Sequence, residues 1–274
     1  MEPLTGEPIT RARIAADLRE LGLRGGDIVL VHTSLRALGW VCGGPVAVVQ
    51  ALLDVLGVDG TLMVPTHSGE NSDPKDWVNP PVPQSWWPVI REQMPAYDPA
   101  ITPSYKVGIL PEIVRNWPGA LRSAHPQMSF AAIGPAAGEL LADHELPSQL
   151  GEESPLGALD RAGGKVLLLG VGFDSCTAFH LAEYRVPDPP MFEFGAAMST
   201  AAGRQWVTFT DVRVDSDDFV ALGAAYEATG AVRTGKVGEA DCRLFDARSG
   251  VAFAVEWLRA NRSGAQAGSV ALGG

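Results

Sequence analysis

The chain has 274 residues, which suits one large α/β domain, and its 46% hydrophobic and 19% charged residues exclude disorder for most of its length. A formal net charge of −11 argues against nucleic-acid binding and favours a cationic partner, although such acidity also serves solubility alone. Three dispersed cysteines and the lack of a long apolar run argue against a disulfide framework, a zinc site and a membrane span, so we expect a cytoplasmic protein without a metal.

The N-terminal quarter predicts a helix followed by a β-α-β unit. The helix begins after its N-cap Thr10 and stops at Gly25 and Gly26. A buried strand over Ile28–Val31 ends in a polar loop, and the next helix begins at Pro45, where the missing N–H costs nothing. The segment GTLMVPTH is then the second strand, and this order is typical of an α/β sheet.

A long irregular segment, dense in proline, tryptophan and aspartate, runs from His67 to Pro103. Only a short helix from Trp86 to Gln93 is predicted inside it. Loops of this length within a compact domain are usually functional, so we expect this segment to contribute to a binding site.

The remaining chain alternates between helices and strands. Helices are predicted for VGILPEIVRNWPG, PAAGELLADHEL, DFVALGAAYEAT and GVAFAVEWLRANR. SFAAIG and KVLLLGVG are strands, the second apolar enough for burial on both faces, while EFGAAMST and RQWVTFTDVRV form a hairpin. We predict one domain over residues 1–262 and a disordered tail over residues 263–274.

His180 follows a strand, a glycine turn and a helix start near Asp174 or Ser175 in the segment LLLGVGFDSCTAFHLAEYR. Sheets of this class bind ligands at such strand ends. Thr177 and Glu183 lie three residues before and after His180, so all three share one helix face. From this segment alone His180 is either a catalytic base or a structural residue.

Two further polar groups follow predicted strand ends or precede a strand. His32, Thr33, Ser34 and Arg36 offer backbone N–H groups and a guanidinium to a phosphate, but a plain turn explains them equally well. The third group is Arg122, Ser123 and His125, which on its own indicates little.

Six segments together carry a family resemblance that covers about Asp27 to Phe219. They are VHTSLRALG, DGTLMVPTHSG, YDPAITPS with VGILPE, LRSAHPQMSFAAIGP, SPLGAL and LLLGVGFDSCTAFHLAEYR. Their order and spacing resemble those of the aminoglycoside 3-N-acetyltransferases, the antibiotic N-acetyltransferase family. The resemblance implies an α/β domain with a central mixed β-sheet flanked by helices, distinct from the GNAT acetyltransferases.

The same resemblance implies acetyl transfer from acetyl-CoA to the 3-amino group of a 2-deoxystreptamine aminoglycoside, with antibiotic resistance as the consequence. The family histidine corresponds to His180, and an imidazole suits the task because the attacking amine must lose a proton near pH 7. Glu183 and Asp211 are the candidates for the carboxylate that orients the ring. Arg213 stands where a second acid is expected unless the register shifts to Asp215, so the choice stays open.

The resemblance also implies the two substrate sites. Acetyl-CoA is expected at Ser34, Leu35, Arg36, Lys106, Val107, Gly108, Arg122, Ser123, His125 and Thr177. The cationic antibiotic is expected at Glu70, Asp73, Tyr97, Asp98, Asp211 and Asp215. Neither a nucleic acid nor a membrane is expected as a partner, and the chain is expected to be a monomer or a homodimer.

Three alternatives remain open at this point. The first is an acyltransferase of the same fold that acts on a different amine. The second is a CoA-binding or ligand-binding module without turnover, which requires His180 to be packed away from solvent. The third is a serine hydrolase using Ser34 or Ser175, which the absence of a G-x-S-x-G motif disfavours.

Overall fold

Residues 7–262 are described by the computed structural model, and a seven-stranded sheet lies at their centre. Its strands are β1 (Ile28–Thr33), β2 (Thr61–Pro65), β3 (Leu121–Arg122), β4 (Phe130–Ile133), β5 (Lys165–Leu169), β8 (Arg233–Val237) and β9 (Ala240–Asp246). The spatial order is β3-β4-β2-β1-β5-β9-β8. Two further strands, β6 (Met191–Thr200) and β7 (Gly203–Val212), form a separate two-stranded sheet.

The sheet is mixed, with a parallel centre. Strand β1 runs parallel to both β2 and β5, whereas the β4 and β9 pairings with this centre are antiparallel. The three central strands therefore end at one edge of the sheet. Loops that leave this edge meet over its middle, which is where open sheets of this type place ligands.

Helices cover both faces of the sheet. They are α1 (Arg11–Leu21), α2 (Gly44–Leu56), α3 (Trp87–Gln93), α4 (Ile109–Arg115), α5 (Ala137–Ala142), α6 (Pro155–Arg161), α7 (His180–Arg185), α8 (Phe219–Glu227) and α9 (Ala247–Arg262). Alternate residues of β1 divide between two apolar cores, with Val29 and Val31 facing α1, α2 and α4, and Leu30 facing α5 to α9. This alternation gives the three-layered arrangement.

The β6–β7 hairpin anchors the long segment that follows β2. The side chain of Asn71 donates to the Ala197 carbonyl at 3.0 Å and accepts from the Ala197 N–H at 2.9 Å. The Tyr97 N–H donates to the same carbonyl at 2.9 Å. The segment therefore lies against the hairpin as an ordered part of the domain.

Most predicted elements are confirmed, with shifted ends. The first helix ends at Leu21 rather than at the predicted glycine pair, because Gly22 takes up a left-handed φ of 115° as its C-cap. The helix predicted to start near Asp174 begins instead at His180, after two short 3₁₀ turns. The predicted tail over residues 263–274 lies outside the described residues.

The β8–β9 hairpin was not predicted. Its strands are joined by a two-residue loop in which Gly238 has a φ of 59°, a conformation suited to glycine. The sequence signal was a glycine flanked by short alternating segments, but exposed residues dominate β8 and weaken the strand pattern. No helix within residues 7–262 has the length and apolar character that a membrane crossing requires.

Candidate active site

A cavity of about 600 Å³ lies at the edge where β1, β2 and β5 end. Residues from each strand end reach it, because parallel strands deliver their C-terminal loops to the same place. The polar or charged lining side chains are those of His32, Thr33, Ser34, Arg36, His67, Lys106, Asp174, Ser175, Thr177 and His180. The polar residues after the first strand and those of the His180 segment, predicted separately, therefore meet in one site.

His180 contacts a buried carboxylate. Its Nδ1 lies 2.5 Å from Oε2 of Glu183, whose side chain is only 4% exposed. Both residues lie on the first turn of α7, where a spacing of three brings side chains together. When the Nδ1–H group donates a hydrogen bond to the carboxylate, Nε2 carries the lone pair and is able to accept a proton.

The second oxygen of Glu183 is also occupied. Oε1 accepts the Asp215 backbone N–H at 2.9 Å and a hydrogen bond from Nη1 of Arg262. Arg262 ends α9, and Asp215 lies in the loop before α8. Three separate elements thus converge on one carboxylate, which satisfies the need of a buried charge for partners.

Asp211, the alternative partner of His180, is engaged elsewhere. It is buried near the end of β7, and its Oδ2 accepts from the Gln149 N–H and the Tyr184 hydroxyl, each at 2.8 Å. The carboxylate that bonds the His180 ring is therefore Glu183. Asp215 reaches the pair through its backbone N–H rather than through its carboxylate.

Two further histidines lie in the cavity wall. Burial, with a smaller contribution from the positive charge of a protonated His180, lowers the pKa of His32 to about 3. Burial, with smaller contributions from the charges that His32 and other neighbours carry when protonated, likewise lowers the pKa of His67 to about 3. Both rings are therefore neutral across the physiological range.

The cavity mouth carries two cationic side chains. Arg36 and Lys106 line it and form no ion pair within residues 7–262, although the Lys106 ammonium lies 4.9 Å from the Tyr105 ring centroid. Gly108 caps α4 with a φ of 85°, a conformation that favours glycine. Ser34, Leu35, Val107 and Thr177 also line the cavity.

Arg122, Ser123 and His125, which were predicted at the cofactor path, do not line this cavity. The Arg122 guanidinium donates to Thr66, Ser129 and backbone carbonyls of the long segment. Ser123 Oγ accepts from the Phe130 N–H at 2.9 Å, and His125 Nδ1 accepts two backbone N–H groups. Their polar groups hydrogen-bond neighbouring loops, so in this structure the three residues stabilise the fold beside the cavity rather than line it.

The residues predicted to bind the cationic acceptor separate into two groups. Asp73 and Tyr97 are buried and occupied, since Asp73 pairs with Arg91 at 2.7 Å and the Tyr97 hydroxyl donates to the Ser123 carbonyl at 2.8 Å. Asp211 is buried as well. The exposed or partly exposed carboxylates are those of Glu70, Asp98 and Asp215.

The sequence prediction overlooked Asp174 and His67. Asp174 is exposed at the cavity lining, in the turn after β5, and His67 follows β2. The signal available for both was the one applied to Ser34, namely a polar residue just beyond the carboxyl end of a central strand.

Within the described range 7–262, no group of three histidine, cysteine, aspartate or glutamate side chains has the geometry to hold a metal ion. Neither Ser34 nor Ser175 hydrogen-bonds His180 in this range, as a hydrolytic serine would.

Known proteins resemble the chain over most of its length. The family model described as aminoglycoside 3-N-acetyltransferase matches residues 30–259. A Bacillus subtilis (strain 168) protein, described as SPbeta prophage-derived aminoglycoside N(3')-acetyltransferase-like protein YokD, is 46% identical over 257 residues, or 93% of this chain and 94% of the relative. Aminoglycoside N(3)-acetyltransferase IX of Micromonospora chalcea is 40% identical over 271 residues, or 93% and 95%.

Solved structures share the fold. The crystal structure of Bacillus subtilis YokD superposes with a TM-score of 0.93 at 46% identity, covering 94% of this chain and 96% of that one. The structure described as AAC-IIIb binary with CoASH has a TM-score of 0.83 at 33% identity, with coverage of 93% and 97%. The structure described as AAC-VIa bound to sisomicin has a TM-score of 0.83 at 34% identity, with coverage of 93% and 98%.

Proposed function

The chain belongs to the aminoglycoside 3-N-acetyltransferase family, and from this premise we propose that it transfers the acetyl group of acetyl-CoA to the 3-amino group of a 2-deoxystreptamine aminoglycoside. The observation that carries the proposal is the hydrogen bond of Glu183 to His180, which lines a cavity together with the cationic Arg36 and Lys106. The CoASH and sisomicin complexes of structural neighbours support the same pair of substrates.

His180 is the proposed general base. The amine nitrogen of the acceptor bonds to the acetyl carbon, the carbon–sulfur bond breaks, and CoA leaves with the electron pair of that bond. Nε2 of His180 takes the proton that the amine loses, while Glu183 holds Nδ1–H and stabilises the imidazolium that forms. His180 then passes this proton to the leaving thiolate, so the free thiol of CoA is the second product.

The side chains at the cavity mouth suit an anionic co-substrate. Arg36 and Lys106 form no ion pair among residues 7–262 and are placed to meet phosphates. Ser34 and Thr177 offer hydroxyls in the same cavity, which Leu35, Val107 and Gly108 also line. We therefore assign the acetyl-CoA path to this wall and give Arg122, Ser123 and His125 no contact with it.

The aminoglycoside is expected on the side of the exposed carboxylates. Each ammonium that leaves water on binding needs an anionic or accepting partner. Glu70, Asp98 and Asp215 keep accessible carboxylates, and Asp174 adds one at the cavity lining. Asp73, Tyr97 and Asp211 act through the fold, because each is buried and already hydrogen-bonded within the chain.

One observation favours a second candidate, an acyltransferase of this fold acting on a less cationic amine. Two acidic residues around the long segment are neutralised within the chain, Asp73 by Arg91 and Glu193 by Lys75. A CoA-binding or ligand-binding module without turnover is disfavoured, because it requires His180 to be packed away from solvent and His180 lines an open cavity.

A thiol-release assay separates these candidates. The chain is incubated with acetyl-CoA and gentamicin, kanamycin, neomycin, paromomycin, apramycin or buffer, with His180→Ala as the matched control. Thiol release with at least one drug, and an acetyl group located on the 3-amino nitrogen by NMR, supports the proposal. Release with simpler amines but with none of the drugs supports the second candidate.

A further inference from the structure

Arg262 ends α9, far along the chain from the His180 segment, yet it contacts the carboxylate that bonds His180. Its Nη1 donates to Oε1 of Glu183, and Oε2 of the same carboxylate lies 2.5 Å from His180 Nδ1. A guanidinium, a carboxylate and an imidazole therefore form one continuous chain of hydrogen bonds.

The position of the guanidinium is itself fixed. Nε donates to Oδ2 of Asp218 at 2.7 Å, Nη2 donates to Oδ1 of Asp218, and Nη2 also donates to the Asp215 carbonyl at 2.7 Å. The N–H of Asp215 donates in turn to Glu183. The planar fork of arginine is suited to such a multiple contact, whereas a lysine ammonium is not.

With His180 as its only partner, the Glu183 carboxylate would be free to turn about its terminal bond. Its side chain is nearly buried, so a carboxylate without partners on its far oxygen would lose its preferred orientation and its negative charge would be costly. The two donors on Oε1, Asp215 N–H and Arg262, remove this freedom.

We propose that Arg262 is a positioning residue for the acetyl transfer: it fixes the rotamer and the charge of Glu183, and through Glu183 the ring of His180. The inference rests on the proposed function of His180. It assigns a role in the reaction to the end of α9, an element that contributes no residue to the cavity lining.

The charged groups around the pair come from several elements. Glu183 is on α7, Asp215 and Asp218 precede α8, and Arg262 is on α9. His32 and His67 face His180 from the sheet edge, and their pKa values of about 3 keep both neutral over the range of a rate profile. The fixed cation next to Glu183 is thus Arg262.

The principal experiment is the pH dependence of kcat/KM for Arg262→Gln in the thiol-release assay. We expect kcat to fall about 10-fold, the lower end of what loss of an outer partner of a functional histidine costs. The acidic limb of the kcat/KM profile should move to higher pH by about half a unit, since removal of a nearby cation favours the protonated imidazole. KM for acetyl-CoA should stay within about twofold, because Arg262 is not at the cavity.

Three variants separate positioning from simple anchoring of α9. Arg262→Lys keeps the charge and should hold the acidic limb in place while recovering only part of kcat. Asp218→Asn weakens the contact between Asp218 and Arg262 but leaves the guanidinium charge near Glu183, so the limb should not move upward. Arg259→Gln changes a more exposed arginine of the same helix end and should match the wild type.

Two outcomes overturn the inference. One is a wild-type rate and profile for Arg262→Gln. The other is an equal loss of kcat and melting temperature in Arg262→Gln and Asp218→Asn without displacement of the limb.

A readout independent of turnover is the downfield proton NMR signal of His180 Nδ1–H, assigned by its loss in His180→Ala. This signal should shift in Arg262→Gln and persist in Arg259→Gln. If the wild type acetylates no drug, the proposed function fails, and this signal still decides the role of Arg262.

Discussion

Replacement of Glu183 by glutamine tests the arrangement at its centre. Both donors on Oε1 of Glu183, the Asp215 N–H and Arg262, require an oxygen opposite them. The glutamine oxygen must therefore take that place, which turns the amide NH₂ toward Nδ1 of His180. Nδ1 then becomes an acceptor, the ring proton moves to Nε2, and the lone pair that would accept the substrate proton is lost.

The expected consequence is a large loss of turnover at nearly constant binding. Forcing a general-base histidine into the wrong tautomer lowers kcat by up to about 10⁴ in the serine-protease precedent, and we expect about 10³ to 10⁴ here. KM for acetyl-CoA should change little. The assay is thiol release with an accepted aminoglycoside, together with ¹⁵N–¹H correlation of the His180 ring to identify the tautomer.

Asp211→Asn is the matched control, because the sequence left the choice between these two carboxylates open. Asp211 accepts hydrogen bonds from Gln149 and Tyr184. The variant should lose about 1–3 kcal/mol of folding stability, the cost of a disturbed buried hydrogen-bond acceptor, while kcat stays close to the wild type. Equal losses of kcat in both variants, or more than a tenth of wild-type turnover in folded Glu183→Gln, would refute the reasoning.

Further expectations concern the base, the cofactor and acid stability. His180→Ala should lower kcat by about 10² to 10⁴ with little change in acetyl-CoA affinity measured by calorimetry, and retention of more than a tenth of turnover would remove it from the chemistry. Arg36→Gln and Lys106→Gln should weaken acetyl-CoA binding and its dependence on salt, whereas Arg122→Gln should mainly lower the melting temperature; unchanged affinity in the first two places the co-substrate elsewhere. Burial lowers the pKa of four histidines below the usual 6.5, and backbone hydrogen bonds oppose this only in part at His125 and His144. These four histidines are His32, His67, His125 and His144, and the folded state therefore binds fewer protons than the unfolded state. Their contribution to stability is fully present above about pH 6.5 and should fall by up to about 1.4 kcal/mol per histidine per pH unit as the pH drops toward 4. Denaturant titrations at several pH values measure this slope, which would be absent if the rings were protonated in the folded state.

The sequence predicted the sheet centre and the His180 segment because both depend on local patterns. Continuous apolar runs followed by glycine or polar residues mark β1, β2 and β5. Because these strands are parallel, their carboxyl ends meet at one edge of the sheet, and the sequence pattern alone predicts this. The i, i+3 spacing of His180 and Glu183 likewise carries their contact within one helical turn.

Contacts between distant segments were not predictable in this way. Nothing local in the last turn of α9 indicates that Arg262 reaches Glu183, since a basic residue there is also favoured by the helix dipole alone. Arg122 was predicted to bind the cofactor from the family resemblance, and Asp73 to bind the cationic acceptor as an acidic residue of the long segment. Their partners in the fold, Thr66 for the first and Arg91 for the second, come from other parts of the chain.

All five histidines of the chain lie in one connected region, although the sequence disperses them. His32, His67 and His180 share the cavity, His67 packs edge-on against Phe130 at 5.4 Å between ring centroids, and the His125 and His144 rings lie 4.7 Å apart behind them. Four of these rings are held neutral by burial, so they add no positive charge around the base. Neutral rings suit a site for a polycationic amine, because each protonated ring near the base would repel the acceptor's ammonium groups. Burial of the histidines thus serves the proposed reaction as well as the fold, and it leaves His180, held by Glu183, to take up the proton.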